Sequence, residues 1–405
     1  MTELLRRAGH TPCDTDADVV IINSCAVTAE SVRKSRQAVR RAAKDFPGAM
    51  IAVCGCAAQT DAAEMAELGV TLVGGSGDRA AFVEKLCELY EDRPASPVLA
   101  EGDPRQRHTF EVLPAKAAEG RTRALLKVED GCRNYCAYCI IPYARGPVRS
   151  LPADEAAEQA RSLAAEGFGE IVLTGIELAS WGIDLPGKPG LAELICAVAD
   201  AVPGLRIRLG SLEPRVVTPE FIEKVSALPE LAPHFHLSLQ SGCDATLVRM
   251  KRRYLTDRFY ESVTLLRGAF PGCGLTADLI CGFPGETDAD AEETLRFLRR
   301  CAFSDMHIFP FSPRPGTPAA VMEGQLTNAV KKARCDAASA VASEMKAGFL
   351  ASLTGTVQDV IFESGGVGHT GNYCVVSVPG SQAGCRCPVL ITGNDGEVLL
   401  GRIMI

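Results

Sequence analysis

The chain has 405 residues, of which 47% are hydrophobic and 23% are charged, and its formal net charge is −8. This composition excludes a disordered chain and is typical of a globular protein with two or three domains. The acidic balance argues against a surface broadly coated by nucleic acid, but it is compatible with a local basic patch.

The seventeen cysteines lie in local motifs, whereas a short secreted protein would carry them as a regular disulfide framework. A reducing compartment with metal chemistry therefore fits better. The sequence has no apolar run of about 18 residues, the length that a membrane span needs. The opening residues Met1–Arg7 do not form a signal peptide. We expect a cytoplasmic protein without a membrane partner.

Residues 1–92 alternate between apolar runs and helical stretches, which predicts a small doubly wound α/β domain. The continuous apolar runs are typical of strands buried on both faces. The predicted strands are Val19–Asn23, Ala49–Val53 and Thr71–Val73, and the predicted helices are Thr28–Lys44, one from Asp61, and Asp78–Leu89. Cys25 and Cys56 follow the first two strands, at the sheet edge where such folds bind ligands. Ordinary buried thiols are the alternative.

The first long helix carries a basic stripe. Arg33, Arg36, Arg40 and Lys44 recur at steps of three and four residues and therefore share one face. A solvated charged face is the ordinary interpretation. A surface that contacts phosphates is the other, because this many cations are unusual in so short a stretch of an acidic protein.

The stretch 93–120 is rich in Pro, Gly and charged residues without periodicity, which predicts a linker. From 121 to 350, strands and helices alternate as six βα units. Such units predict a parallel, barrel-like sheet that is incomplete compared with an eightfold barrel. The predicted strands are Arg123–Glu129, Glu170–Leu173, Arg206–Gly210, His236–Leu239, Leu275–Ile280 and Met306–Phe309, with helices such as Ala153–Ala165 and Asp290–Cys301 between them.

Three cysteines directly after the first of these strands are spaced C-x3-C-x2-C: Cys132, Cys136 and Cys139. Thiolate sulfur suits zinc or iron–sulfur clusters. A structural zinc ion needs four ligands, and no Cys or His follows at short range to supply the fourth. A [4Fe–4S] cube on three thiolates would leave one iron open. The alternatives are three buried cysteines, or zinc with a distant fourth ligand.

This spacing, at this position in the chain, resembles that of the radical S-adenosylmethionine (SAM) enzymes. In that superfamily the open iron binds the amino and carboxylate groups of SAM. An electron from the cluster then cleaves SAM to a 5′-deoxyadenosyl radical, while the protein positions the reactants and excludes water.

The same resemblance implies SAM contacts beside the cluster and just after the barrel strands. Glu213 offers a carboxylate suited to the SAM ammonium or ribose, although a surface carboxylate before a proline is the alternative. At the position of Glu177, related enzymes usually have His. We expect Asp278 and Gly282 to lie in the turn after the fifth strand. The candidate SAM-binding residues are Tyr138, Glu177, Glu213, Gln240, Asp278 and Gly282.

The segments Asn23–Thr28 and Cys54–Gln59 resemble the N-terminal domain of the methylthiotransferases, a subgroup of the radical SAM enzymes. In that family three cysteines hold a second [4Fe–4S] cluster, and Cys25 and Cys56 match the second and third of them. The first lies upstream of the point where this sequence begins.

Cys13 and Cys54 do not stand at family positions, and we do not expect either to replace the missing ligand. The segment Leu4–Ala8 corresponds to the middle of the family's first helix, which places the first strand upstream as well. We therefore expect the 405-residue chain as written to hold one stable cluster, to cleave SAM and to fail to thiolate tRNA. An upstream extension would then add a cysteine and restore activity.

Residues 351–405 contain short strand-like runs between Gly-rich turns, which predicts a small β-barrel. The runs are Thr356–Glu363, Tyr373–Val378, Val389–Thr392 and Glu397–Ile405. The segment Gly368–Tyr373 resembles the signature of TRAM domains, which bind tRNA. Arg386 and Arg402 are outnumbered by acidic residues here, so we do not assign this module most of an RNA affinity.

The overall resemblance is closest to the tRNA methylthiotransferases that act on threonylcarbamoyladenosine, through Ile140–Gly146, Arg206–Pro214 and Ser312–Pro318. It implies that a methylthio group is added to C2 of the modified adenosine at position 37. A base in the anticodon loop is accessible for such recognition. The implied partners are the tRNA anticodon loop, SAM and an electron donor such as flavodoxin or ferredoxin.

Two rival functions remain open at this point. One is the same chemistry on a ribosomal protein, against which the basic helix argues. The other is a homologue that binds SAM and tRNA but has lost sulfur insertion, because its second cluster lacks a ligand. Iron content separates the second rival, since about four irons per chain would favour it and about eight would oppose it.

Overall fold

The computed structural model describes residues 1–113 and 122–404. The described chain forms two compact units. The first contains the N-terminal part of the chain together with Asp130–Arg149 and Ser312–Val321, and the second contains Ser150–Phe311, the chain from Met322 onward and the strand before the cysteine loop. No helix in the described ranges has the length and apolar character that crossing a bilayer requires.

The first unit contains a parallel four-stranded sheet in the order β1-β2-β3-β4. Its strands are β1 (Val19–Ser24), β2 (Met50–Gly55), β3 (Leu72–Gly74) and β4 (Val98–Ala100). Its helices are α1 (Thr2–Arg7), α2 (Ala29–Asp45), α3 (Cys56–Thr60), α4 (Ala62–Ala66) and α5 (Arg79–Glu91). Separate hydrophobic clusters cover the two faces of the sheet, which confirms the doubly wound prediction.

Helix α2 forms where the sequence supplies both a cap and an apolar stripe. The Thr28 hydroxyl accepts a hydrogen bond from the backbone N–H of Ser31 at 3.0 Å, which satisfies one of the free donors at the helix start. Val32, Val39 and Ala42 are buried on one side of the helix. The arginines between them therefore lie toward the other side.

The predicted linker is partly wrong. Val98–Ala100 lies inside the stretch 93–120 and pairs with β3 as the fourth strand, and Pro104–Gln106 forms a 3-10 turn. Three residues are too few for a periodic pattern, so only pairing with β3 defines this strand. Residues 114–120 of the predicted linker lie outside the described ranges.

The second unit contains two parallel three-stranded sheets, ordered β5-β8-β9 and β10-β11-β12. Single bridges from Ile207 to Leu231 and from Leu212 to Leu237 connect them, as the incomplete barrel predicts. The strands are β5 (Arg123–Lys127), the two-residue β6 (Glu129–Asp130) and β7 (Arg149–Ser150), β8 (Glu170–Thr174), β9 (Arg206–Leu209), β10 (His234–Gln240), β11 (Gly274–Cys281) and β12 (Asp305–Pro310). The helices after α6 (Ile141–Arg145, in the first unit) are α7 (Ala153–Ala165), α8 (Leu191–Ala201), α9 (Pro219–Val225), α10 (Asp244–Arg249), α11 (Thr256–Ala269), α12 (Asp288–Cys301) and α13 (Asn328–Ser352).

Strand β10 has one apolar face and one polar face. Phe235, Leu237 and Leu239 are fully buried, whereas the alternate residues His236 and Gln240 are only half-buried. Successive side chains of a strand point to opposite faces. The apolar set therefore lies on one face, and polar groups lie on the other.

A closed five-stranded barrel follows α13, in the order β13-β14-β15-β17-β16. Its strands are β13 (Val357–Ser364), β14 (Val367–Thr370), β15 (Val375–Ser377), β16 (Arg386–Asn394) and β17 (Leu399–Ile403). Val360, Phe362 and Val389 are fully buried at its centre, with Leu350 of α13 packed against them. The small barrel was predicted, whereas strand β14 and the 25-residue helix α13 were not.

This C-terminal barrel covers the N-terminal ends of the six parallel strands. Glu170 accepts hydrogen bonds from Arg208 at 2.7 and 2.9 Å, and Arg206 donates to the Asp359 carboxylate of β13 at 2.7 Å. The Tyr373 ring stacks on His234 with centroids 4.8 Å apart. The TRAM-like signature thus contributes to an interface within the second unit, and the limited RNA role of this module remains a prediction.

Candidate functional site

The cysteine loop lies between β6 and α6. Cys132 and Cys136 are buried, and Cys139 is half-buried. Gly131 has φ +93°, and a Cβ there would collide with the carbonyl oxygen of Pro147, so only glycine fits. The backbone N–H of Asn134 lies 3.4 Å from the Cys132 sulfur. A backbone donor beside this sulfur matches the kind of hydrogen bonding that tunes cluster sulfurs.

The zinc alternative requires a fourth ligand close to the three cysteines. In the described ranges, no three His, Cys, Asp or Glu side chains are arranged to hold a single metal ion. Three soft thiolates on one short loop do fit an iron–sulfur cluster, whose ligands are Cys thiolates. Tyr138 lies half-buried between the second and third cysteines of the loop.

Cys25 and Cys56 lie at the carboxyl ends of β1 and β2, as expected. Cys25 is exposed and Cys56 is buried. Gly55 has φ +98°, and a Cβ there would meet the backbone of Ser24, so glycine lets the two strand ends approach closely. Cys54 packs in the hydrophobic cluster on the opposite face from Cys56, and burial raises the pKa of its thiol. It does not lie where it could replace a ligand beside Cys56.

Arg145 is a functional candidate that the sequence analysis did not single out. Its Nε donates to the Cys56 sulfur at 3.1 Å, and its Nη1 lies 3.4 Å from the Asp130 carboxylate at the start of the cysteine loop. Burial lowers the pKa of Arg145, but the Asp130 carboxylate and the Cys56 thiol outweigh burial, and the pKa is raised. One cation therefore ties together the two cysteine-bearing segments of the first unit.

Two carboxylates of the second unit lie at the ends of β8 and β9. Glu213 is 5% exposed and forms a salt bridge with Arg215 at 2.9 Å. Glu177 follows β8, and its backbone N–H donates to Glu129 at 2.7 Å. Burial, together with the Glu213 charge, raises the pKa of Glu177 to about 7. A carboxyl group poised near neutrality suits a site that receives an ammonium group, which would favour its ionised form.

This raised pKa predicts a pH-dependent stability. The folded state binds the proton of this carboxyl more tightly than the unfolded state, whose pKa is the ordinary 4.5. Its contribution to the free energy of unfolding is therefore fully present below pH 4.5 and is lost as the pH rises through about 7. We expect Glu177→Gln to match the wild type at pH 4 and to exceed its free energy of unfolding by about 3 kcal/mol at pH 8. Chemical denaturation at both pH values without SAM measures this. The exposed Glu223 on α9 provides the control Glu223→Gln, and equal pH profiles for all three proteins would contradict the prediction.

Gln240 and Gly282 lie at the ends of β10 and β11. Gln240 has φ +68°, a left-handed conformation that is unusual for a non-glycine residue. The backbone N–H of Gly282 donates to Glu286 at 3.1 Å, and Glu286 pairs with Arg334 of α13 at 2.8 Å. Helix α13 thus fixes the Gly-Phe-Pro-Gly turn, a support that the sequence analysis missed because α13 was not predicted.

Asp278 was expected in the turn after the fifth strand, and that placement is wrong. It lies inside β11, where its carboxylate is 3.2 Å from His236 Nε2. It lines a cavity of about 450 Å³ with His307, Lys346 and Tyr373. The strand continues for three residues beyond Asp278 because the apolar pattern of β11 runs to Cys281. Its role as a SAM contact remains a prediction.

The basic stripe of α2 is partly neutralised. Arg33 pairs with Glu30 on the same helix, and Arg36 pairs with Glu64 of α4. Arg40 is exposed, and the described residues supply no ion pair for it. Exposed pairs of this kind contribute little to stability and exchange readily with other anions.

Comparison with known protein families gives two matches along the chain. Residues 126–298 match the radical SAM superfamily, and residues 1–74 match an uncharacterized protein family, UPF0004. The first match covers the cysteine loop and most of the six-stranded part, and the second covers Cys25 and Cys56.

The chain is also similar to curated proteins over most of its length. It is 37% identical to the threonylcarbamoyladenosine tRNA methylthiotransferase MtaB of Bacillus subtilis over 393 residues, 94% of this chain and 86% of that protein. It is 37% identical to MtaB of Thermotoga maritima, covering 90% and 82%. It is 33% identical to the tRNA-2-methylthio-N(6)-dimethylallyladenosine synthase of Citrifermentans bemidjiense, covering 96% and 87%.

Among solved structures, the chain resembles the radical SAM methyltransferase TsrM from Kitasatospora setae, with a TM-score of 0.59 and 18% identity over 79% of this chain and 66% of that one. At this identity the likeness concerns the fold alone. It agrees with the parallel-stranded architecture that carries the cysteine loop.

Proposed function

Because the chain belongs to the radical SAM tRNA methylthiotransferase family, we propose that it adds a methylthio group to C2 of N6-threonylcarbamoyladenosine at position 37 of tRNA. The observation that carries this proposal is the similarity to the MtaB enzymes at 37% identity over most of both chains. The cysteine loop, with the spacing of a radical SAM site, supports it.

The family implies a [4Fe–4S] cluster and SAM, and we propose Cys132, Cys136 and Cys139 as the cluster ligands. The cluster, when bound, supplies the electron that cleaves SAM. Tyr138, Glu177, Glu213, Gln240 and Gly282 are proposed to hold SAM. Their positions just after the strands or on the loop support this, because barrel sites of parallel sheets form at the carboxyl ends of strands.

We propose that Cys25 and Cys56 contribute to a second, sulfur-delivering cluster. Their places at one sheet edge support this role, as does the cation of Arg145 at 3.1 Å from the Cys56 sulfur. A flavodoxin or ferredoxin is the proposed electron donor. The iron and sulfide content per chain tests the second cluster. A value of about four irons would favour the rival interpretation, a homologue that has lost sulfur insertion.

Of the two rival functions, modification of a ribosomal protein is disfavoured because the similar curated proteins act, by their names, on tRNA. The test of the proposed function is mass analysis of tRNA nucleosides from cells with and without the gene. We expect the methylthio form of threonylcarbamoyladenosine to disappear without the gene and to return on complementation. Disappearance of only the dimethylallyl form would redirect the proposal to the other substrate.

Replacing Arg33, Arg36 and Arg40 together by Gln is expected to weaken tRNA binding and to reduce its salt dependence. Each lost phosphate contact removes roughly one unit from the slope of log affinity against log salt. Filter binding or anisotropy over a range of salt concentrations measures this. Arg41→Gln is the matched control, because Arg41 lies on the same helix outside the stripe and pairs with Asp45. An unchanged slope in the triple variant would mean that the stripe is only a solvated face.

A further inference from the structure

The first unit contains a cavity of about 730 Å³ beside α2. We call it the arginine cavity, after the four arginines that line it: Arg33, Arg36, Arg40 and Arg314. Its carboxylates are Asp61 and Glu64, so four cations face two anions, an excess of two positive charges. Val32, Ile140, Tyr143 and two prolines add apolar walls, and Gln59 and Thr60 add neutral hydrogen-bonding groups.

Arg314 is the unusual member of this set. Its side chain is 6% exposed, and its Nε has no hydrogen-bond partner within the described ranges. Burial lowers the pKa of Arg314, and the Asp61 carboxylate and the Cys25 thiol oppose that effect. Neither forms a salt bridge with it in the part of the chain that the structure describes. A buried guanidinium without a paired anion is costly for the fold, which indicates that an anionic ligand completes the site.

The position of Arg314 restricts which anion can reach it. Arg33 is 56% exposed at its side chain and Arg40 is exposed, so these two suit backbone phosphates at the surface. Arg314 is 6% exposed and is therefore not accessible to a backbone phosphate in this way. A small anionic group at the end of a flexible substituent suits this buried position. A planar carboxylate on a flexible substituent satisfies this condition and matches the two-pronged geometry of a guanidinium.

We propose that the arginine cavity is the subsite for the N6 substituent of the substrate adenosine, with Arg314 binding the carboxylate of its threonyl group. This inference rests on the proposed function and deepens it. The side chains of Gln59 and Thr60 already form hydrogen bonds within the first unit, to Gly102 and Asp61 among others, so the contact between Arg314 and the carboxylate carries the recognition.

The proposal also gives the specificity a physical basis. A dimethylallyl substituent, the group named in the other set of relatives, is a neutral hydrocarbon. Placing it against a buried, unpaired guanidinium would leave that cation without an anion. A site built around a charged partner rejects analogues that lack the charge far more strongly than an apolar pocket rejects a change in size.

The test uses the full-length, cluster-loaded protein and three anticodon stem-loops of one sequence. Their position 37 carries adenosine, threonylcarbamoyladenosine, or the methyl ester of threonylcarbamoyladenosine, which removes the negative charge alone. We expect the wild type to bind the acid about 10- to 100-fold more tightly than the ester, the range for a charge-assisted hydrogen bond. Arg314→Gln should lose this preference and should bind the unmodified stem-loop as the wild type does.

The coupling between the variant and the ester separates a specific contact from a general defect. In Arg314→Gln, replacing the acid by the ester should cause no further loss of binding affinity. Arg314→Lys keeps the positive charge but lacks the bidentate guanidinium, so it should retain part of the preference for the acid over the ester. An equal loss for all three stem-loops, or a full acid preference in Arg314→Gln, would overturn the subsite. If the wild type modifies none of these stem-loops, the result contradicts the proposed function. If the wild type modifies the threonylcarbamoyladenosine stem-loop but binds it no more tightly than the ester, the result contradicts only the subsite.

Discussion

Cys132→Ala, Cys136→Ala or Cys139→Ala is expected to abolish reductive cleavage of SAM. The cluster of a radical SAM enzyme is held by three protein thiolates, and removal of one leaves the cube without the ligand set that keeps a single iron open for SAM. Formation of 5′-deoxyadenosine with excess dithionite measures the effect. We expect a loss of at least about 1000-fold, equivalent to about 4 kcal/mol in the barrier.

A cysteine of similar burial outside the loop provides the control. Cys196 is half-buried on α8, so Cys196→Ala tests the loss of a thiol as such and should keep wild-type cleavage. The visible absorbance of the cluster should decrease in the three loop variants and should be unchanged in the control. Retained 5′-deoxyadenosine formation in any loop variant would remove that cysteine from the ligand set.

Glu170→Ala is expected to lower the free energy of unfolding by about 3–5 kcal/mol. Glu170 is 1% exposed and accepts from Arg208 at 2.7 and 2.9 Å, with Arg206 at 3.4 Å. Removal of the carboxylate leaves two guanidinium groups buried without their shared anion. The same arginines hold the C-terminal barrel, so we expect the variant to loosen that barrel as well. Denaturant titration and proteolysis of residues 351–405 follow the two effects.

The pH dependence distinguishes this effect from a packing defect. Burial alone would raise the pKa of Glu170, but the hydrogen bonds from Arg208 outweigh it and hold the pKa below its ordinary value. A lowered pKa means stability that is present above the ordinary value and is lost as the pH falls through the folded value. The difference between wild type and variant should therefore shrink below about pH 4. Glu158→Ala, which removes an exposed ion pair with Arg161, should change stability by less than about 1 kcal/mol.

The parts of the fold that follow local rules could be predicted from the sequence. Continuous apolar runs located β1 and β2 within a few residues. The alternation of strands and helices located the six parallel strands and placed the cysteines at strand ends. These predictions succeed because burial on two faces leaves a direct signature in the sequence. Helix α7 was predicted with its observed bounds, Ala153–Ala165.

What was missed depends on contacts between distant segments. Strand β4 is three residues long and exists only through its pairing with β3. Arg145 contacts Cys56 across 89 positions of sequence, and Arg314 lines the same cavity as Arg36 of α2, which lies far upstream in the sequence. No local pattern marks an arginine as the partner of a thiol or as a buried lining residue of a cavity. Such roles become visible only when tertiary structure brings the segments together.

The way in which the C-terminal barrel is docked has a consequence for the kinetics of the reaction. Salt bridges and the stacked pair of Tyr373 and His234 hold this barrel over the N-terminal ends of the strands, so exchange of small molecules is directed to the opposite rim. A tRNA seated over that rim would hinder the exchange of SAM beneath it. We therefore expect a compulsory order, in which SAM associates before tRNA and 5′-deoxyadenosine departs only after the tRNA has dissociated. Product inhibition by 5′-deoxyadenosine should then be competitive with SAM and not with tRNA.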